Sequence, residues 1–441
     1  MMKALRSILT LTALACGSGG VPSGPDDVLS DELSMPRRPT VALDSFASAE
    51  ECGVCHPTHY AEWKTSSHAY AMIDPVFRAL VAVRQEHYGG TQDMFCVQCH
   101  SPIGTRGGDI APGFEFAELQ PITLEGVTCE NCHKVGSLAR PYNSGHVLDP
   151  DGPMRGPIAD PAATSFHESR HSPLHETSDF CSGCHDVREA SGLVLERPFA
   201  EWKESPAAAV GVQCQDCHMR AYAGQASAGG PPRTLHRHMW IGPSLPLSEG
   251  FMTPEEEASL RAEVERLLEG AVEVDIAAAP SIRAGDLLDL VVTVKNNNPA
   301  HNFPTGATFN RQVWVEVIVR DGHGDVVFAT GSLDERGEPR GSPELLRLSS
   351  ILVDERGRPV LFSWRAAEHL SSTLEPLDER AFALRVPTSR AVRGPLSVTA
   401  RVLFRAFSPD ALRALGLDEY VARLEVHEVS RASAGVALRR P

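Results

Sequence analysis

The chain has 441 residues, 42% of them hydrophobic and 22% charged, and 57 acidic against 41 basic side chains give a formal net charge of −16. That composition belongs to a folded soluble protein of two to four domains, not to a disordered one. The acidic excess excludes nucleic acid and anionic membrane surfaces as main partners and points instead to redox or other proteins with a basic docking face.

In chain order the first feature is an export signal. Lys3 and Arg6 precede an apolar run from Ile8 to Ala15, too short to span a bilayer. Ala13-Leu14-Ala15-Cys16 resembles a bacterial lipoprotein processing site, with Ala13 where Leu is usual. Residues 1–16 are expected to be the signal, with Cys16 lipidated, and 17–43 a flexible linker that opens GSGGVPSGP. The expected location is the periplasm or the outer membrane, with membrane contact through a lipid anchor only. No later stretch approaches 18 consecutive apolar residues.

Ten of the eleven cysteines form five pairs with two residues between partners, and each pair is followed at once by histidine. The motifs are Cys52-Cys55-His56, Cys96-Cys99-His100, Cys129-Cys132-His133, Cys181-Cys184-His185 and Cys214-Cys217-His218. Zinc sites, redox dithiols and disulfides use CxxC but have no reason to place histidine next. Two thiols at this spacing can add to the two vinyl groups of one haem, and the adjacent imidazole then serves as its proximal iron ligand. The cofactors expected are therefore five haem c groups within residues 44–245. Gly/Pro-rich stretches between motifs, such as 103–113 and 149–157, break regular structure, so short helices at the attachment sites and irregular loops are expected.

The motifs repeat. FCVQCHSP and EGVTCENCHK, around His100 and His133, are echoed by FCSGCHDV and VGVQCQDCHM, around His185 and His218. A second echo links YAEWKTSSHA (60–69) with FAEWKESPAA (199–208), and there Ala207 stands opposite His68.

Residues 246–270 read as a connecting helix: Thr253 as N-cap, Pro254 at the first position, Glu256 closing a capping box, and Leu260, Val264 and Leu267 at helical spacing. From 271 to 441 the pattern changes to alternating β-branched runs with turns between them, notably 287–296, 312–321 and 395–407. The expected fold class is thus multidomain: a mainly helical and irregular pentahaem cytochrome c domain followed by an antiparallel Ig-like β-sandwich.

Function turns on the second axial ligand. A haem between two histidines is an electron carrier, whereas one with an open face can bind a small molecule. Eighteen histidines, five of them in the motifs, leave thirteen. The run CGVCHPTHYAEWKTSSHAYAM (52–72), followed by FCVQCHSPIG, GVTCENCHK and FCSGCHDV, resembles the tetrahaem cytochrome family that accepts electrons from hydroxylamine oxidoreductase, over four motifs and about 140 residues. The resemblance implies that His68 is the distal ligand of the third haem, that His146 reaches back to the first, that His175 or His171 serves the fourth, and that the second has none. His167, His171 and His175, spaced by four, read as one helix face on which one is a ligand. For the fifth haem, absent from that family, LHRHMWIG offers His236 and His238, with His238 preferred. His87 stands nine residues before Cys96, much as His171 precedes Cys181, so the repeat makes it a ligand where the resemblance predicts none. His59 follows its own motif too closely to reach another haem. His301, in PAHNFPTG, has two readings of equal weight, a turn residue or a haem ligand from the β-domain.

The leading expectation is extracytoplasmic electron transfer. The alternative is a reductase of a small nitrogen or sulfur oxyanion at one five-coordinate haem, although no motif ends in the Lys that marks ammonia-forming nitrite reductases.

Overall fold

The computed structural model describes residues 39–90, 94–340 and 345–439. The expected signal, Cys16 and all but the last residues of the expected linker lie outside them. Thr40 at the linker's end already bonds through its N–H to the Arg106 carbonyl, at 2.8 Å.

Each motif occupies a short helix: Ala49–Cys55, Met94–His100, Cys129–His133, Asp179–His185 and Cys214–His218. One helical turn puts residues i and i+3 on the same face, so both thiols of a pair point the same way. Helices this short need caps to form. Ser48 Oγ accepts from the Glu51 N–H at 3.1 Å, and Thr128 with Asn131 and Gln213 with Asp216 form reciprocal capping boxes. The longest helix of this half, Pro75–Tyr88, starts from the Asp74 carboxylate and ends at Gly89, whose φ of 58° suits a residue without Cβ. Between the helices lie four two-stranded ribbons.

One expectation fails locally. His167, His171 and His175 do not share a helix, because Pro173 cannot continue one. Ser169–His171 is instead a strand beside Met154–Gly156, and Pro173–Glu176 is a single 3-10 turn.

The connecting helix runs from Pro254 to Leu268 with the Thr253–Glu256 capping box in place. Leu260, Val264 and Leu268 are its buried residues, and Leu267 packs at the margin. The β-rich region holds a three-stranded antiparallel sheet in the order Glu379–Pro387, Leu287–Asn296, Val272–Ala278. A second sheet runs Ser281–Arg283, His427–Arg439, Leu396–Arg405, Gln312–Arg320, Val326–Thr330. Alternation places Leu288, Leu290, Val292 and Val294 of the first sheet in one core with Val313, Val315, Val317 and Val319 of the second. Apolar side chains of the first half form smaller separate clusters, such as Met72, Phe77, Val81, Val97 and Ile110. Macrocycles are expected to supply much of the apolar volume there.

Candidate functional site

Two imidazoles that share one iron, each bonded at about 2 Å, have ring centres about 6 Å apart. Four motif histidines meet a facing histidine at that separation. His56 faces His167 at 6.3 Å and 26°, with His59 also at 6.3 Å but tilted by 40° and bonded through Nε2 to Tyr222 OH, and His185 faces His68 at 6.3 Å and 52°. His218 faces His301 at 6.3 Å and 25°. His133 has two neighbours, His238 at 6.2 Å and His175 at 6.1 Å.

Hydrogen bonds decide between those two. His175 uses Nδ1 on Ser172 Oγ and Nε2 on the Cys132 carbonyl, which leaves no nitrogen for a metal. His238 donates from Nδ1 to the His236 carbonyl at 2.9 Å, which fixes the tautomer with a free lone pair on Nε2. The same arrangement holds four of the five motif histidines. His56 bonds through Nδ1 to the Ala226 carbonyl, His100 to Ala71, His133 to Arg155 and His218 to Ile241. His301 bonds through Nδ1 to the Asn302 carbonyl at 2.9 Å, and the Asn298 amide nitrogen, 3.1 Å from Nε2, must turn away for that nitrogen to meet iron. His68 Nδ1 is buried with no hydrogen-bond partner, an orphaned polar atom of the kind a metal bond relieves.

Burial also sets the charge state these rings need. It holds His100, His185 and His301 down to about 4, and His68 and His238 to about 3, so all are neutral at physiological pH. Metal ligation requires the neutral ring. Burial pushes the thiol of Cys96 up to about 11 and that of Cys132 to about 12. All ten motif cysteines are free of disulfides. The residues present therefore fit covalently held haem.

The motifs touch one another. The thiols of Cys52 and Cys129 lie close enough to shift one another's titration, as do those of Cys99 and Cys184 and of Cys181 and Cys214. Cys132 is close enough to raise Cys181 by its charge. The first motif thus adjoins the third, the third the fourth, and the fourth both the second and the fifth.

Several sequence-derived ligand assignments change. His68 faces the fourth motif, not the third, and His238 faces the third, not the fifth. His146 does not reach His56; its Nε2 bonds to the Phe180 carbonyl at 2.7 Å. His171 is half-exposed and pairs with Glu176, and His175 is spent on backbone and Ser172. His87 lies against Trp364 and Arg365 of the β-region, and His236 bonds to the Met219 carbonyl. His59 bonds through Nε2 to Tyr222 OH. Two facing histidines stand outside the assignments that the resemblance implies: His167, which the four-residue spacing only groups with His171 and His175 on a helix that does not form, and His301, for which a turn and a ligand role had equal weight. Pro161 and Pro173 around His167 were the available signal against that helix.

Among the described residues no histidine faces His100. Its ring lies flat on Phe77 instead, 3.8 Å between centres and 5° between planes.

Residues 51–134 match the model of the cytochrome c554 and c-prime family. The crystal structure of a penta-heme cytochrome c552 from Thermochromatium tepidum is similar over 90% of this chain and 100% of that one, with a TM-score of 0.63 and 19% sequence identity. The chain has a multihaem c-type cytochrome fold. That likeness spans the β-rich region as well as the motifs. A CARDB domain from Pyrococcus furiosus aligns with 38% of the chain at 13% identity, but its TM-score of 0.17 carries no structural argument. No curated protein matches in sequence.

Proposed function

We propose that the chain transfers electrons outside the cytoplasm through five covalently attached c-type haems, four of them between two histidines. The observation that carries this is the set of facing pairs His56–His167, His133–His238, His185–His68 and His218–His301, each 6.2 or 6.3 Å apart. Haem iron supplies one-electron oxidation and reduction when bound. The chain's own contribution is positional. Paired thiols anchor each macrocycle, Nδ1 bonds to carbonyls hold six of the imidazoles in the metal-binding tautomer, and adjoining motifs make one continuous path with the fourth at its junction. The β-rich region, which we read as an Ig-like sandwich, supplies His301. The net charge of −16 suits a redox partner with a basic docking face. Export through residues 1–16, with a lipid on Cys16, would hold the protein at the periplasmic side of a membrane. No helix among the described residues is long and apolar enough to cross one.

Two measurements test the reading on the intact holoprotein. Mass spectrometry should show five haems on ten cysteines, and fewer would overturn it. Low-temperature electron paramagnetic resonance should show four low-spin haems and one high-spin.

A second reading rests on His100. A haem with no second histidine is where a small nitrogen or sulfur oxyanion could be reduced. A high-spin signal that shifts with nitrite, hydroxylamine or nitric oxide would support that activity, and five low-spin signals would exclude it.

A further inference from the structure

The AEWK echo is a repeated contact as well as a repeated sequence. In the first copy Trp63 Nε1 donates to the Val127 carbonyl at 2.8 Å, and in the second Trp202 Nε1 donates to the Val212 carbonyl at 2.8 Å. Val127 and Val212 each stand two residues before the first cysteine of a motif, Cys129 and Cys214. Each tryptophan therefore ties its copy to the start of one attachment helix.

The glutamates before them do something different. Glu62, 8% exposed, accepts from the backbone N–H of His238 at 2.7 Å and from the Arg237 guanidinium. Glu201 accepts from the backbone N–H of Asn302 at 3.1 Å and from Thr305 Oγ1. His238 faces His133 of the motif tied by Trp63, and His301, the neighbour of Asn302, faces His218 of the motif tied by Trp202. The two segments so held have no sequence in common: LHRHMWIG belongs to the first half and PAHNFPTG to the β-region. The second copy adds one further tie to its segment, from the Ala207 N–H to the Pro299 carbonyl, at the position where the first copy carries His68.

We infer that Glu62 and Glu201 are equivalent positioning residues, each clamping the backbone that carries the distal histidine of the motif its neighbouring tryptophan anchors. A buried carboxylate accepting a backbone N–H and a second donor makes strong, directional bonds, and losing it frees a loop residue to swing. The inference rests on His238 and His301 being axial ligands, and the test separates the two claims.

Holoprotein carrying Glu62→Ala or Glu201→Ala is compared with His238→Ala and His301→Ala by low-temperature electron paramagnetic resonance. Each glutamate variant should convert one further haem to high spin, with the signal seen in its partner histidine variant. Added imidazole should restore the low-spin signal in all four. Unchanged spectra in the glutamate variants, with one haem lost from low spin in each histidine variant, would overturn the clamp. Unchanged spectra in the histidine variants would overturn the ligand assignment itself. Should an alanine variant yield no holoprotein, Glu62→Gln and Glu201→Gln keep an acceptor without the charge. These should stay low-spin, yet cyanide should displace the histidine of the affected haem, followed as a second phase after the open haem at His100, roughly tenfold faster than in the parent, as expected for a weakened charge-assisted bond. An unchanged cyanide rate would again overturn the clamp.

Discussion

At the scale of single residues, the nitrogen that a facing histidine leaves for a metal is governed by what the other ring nitrogen does. His167 illustrates it: Nδ1 meets Ser169 Oγ at 3.1 Å, while the ring stands across from His56. Replacing His167 with Ala should create one new high-spin haem, whereas His146→Ala and His171→Ala should leave ligation unchanged; absorption and resonance spectra of the three variants check this. Asp74 makes a separate prediction. Burial raises its carboxyl to about 6, although its Oδ1 caps the helix through the Val76 N–H at 2.9 Å. A raised carboxyl binds protons more readily folded than unfolded, so its contribution is most favourable below its ordinary value and is lost as pH rises through about 6. Asn caps as well as Asp and carries no charge. Asp74→Asn should therefore stabilise the protein by on the order of 1 kcal/mol at pH 7 and not at pH 4, measured by urea unfolding.

At the scale of elements, legibility followed locality. The five attachment helices could be read directly, because thiol spacing and the next histidine are a covalent constraint confined to five residues. The connecting helix was equally open, since Thr253, Pro254 and Glu256 signal its start within four positions. Thr253→Ala removes that cap and should cost about 1 kcal/mol in denaturant midpoint without altering the haem spectrum. The histidines that face the motifs were the opposite case. His301 lies 83 positions after His218 and belongs to a different fold region, so no periodicity connects them. His68 was recognisable as a candidate from its surroundings, but which motif histidine it faces depends on how the motifs pack. His167 could not be separated from His171 and His175, because their four-residue spacing suggested a helix that Pro173 forbids. The AEWK echo was visible; its meaning, a tryptophan and a glutamate each reaching a distant backbone, needed three dimensions.

At the scale of the whole molecule, charge and order along the chain matter most. With 57 acidic and 41 basic side chains, the protein should exchange electrons faster with cationic mediators than with anionic ones. That preference should shrink as ionic strength rises and the Debye length falls below about 10 Å, which stopped-flow reduction at several salt concentrations would show. The pairing His185–His68 carries a consequence of another kind. Of the four facing pairs, it alone has its second histidine upstream of its motif; His56, His133 and His218 each await a partner made later. A chain emerging amino end first therefore has both histidines of the first pair at residue 167, of the fourth at 185, of the third at 238 and of the fifth only at 301. Maturation would then begin at one end of the path and reach its junction next, and the fifth site would close last, only after the start of the β-rich region has emerged.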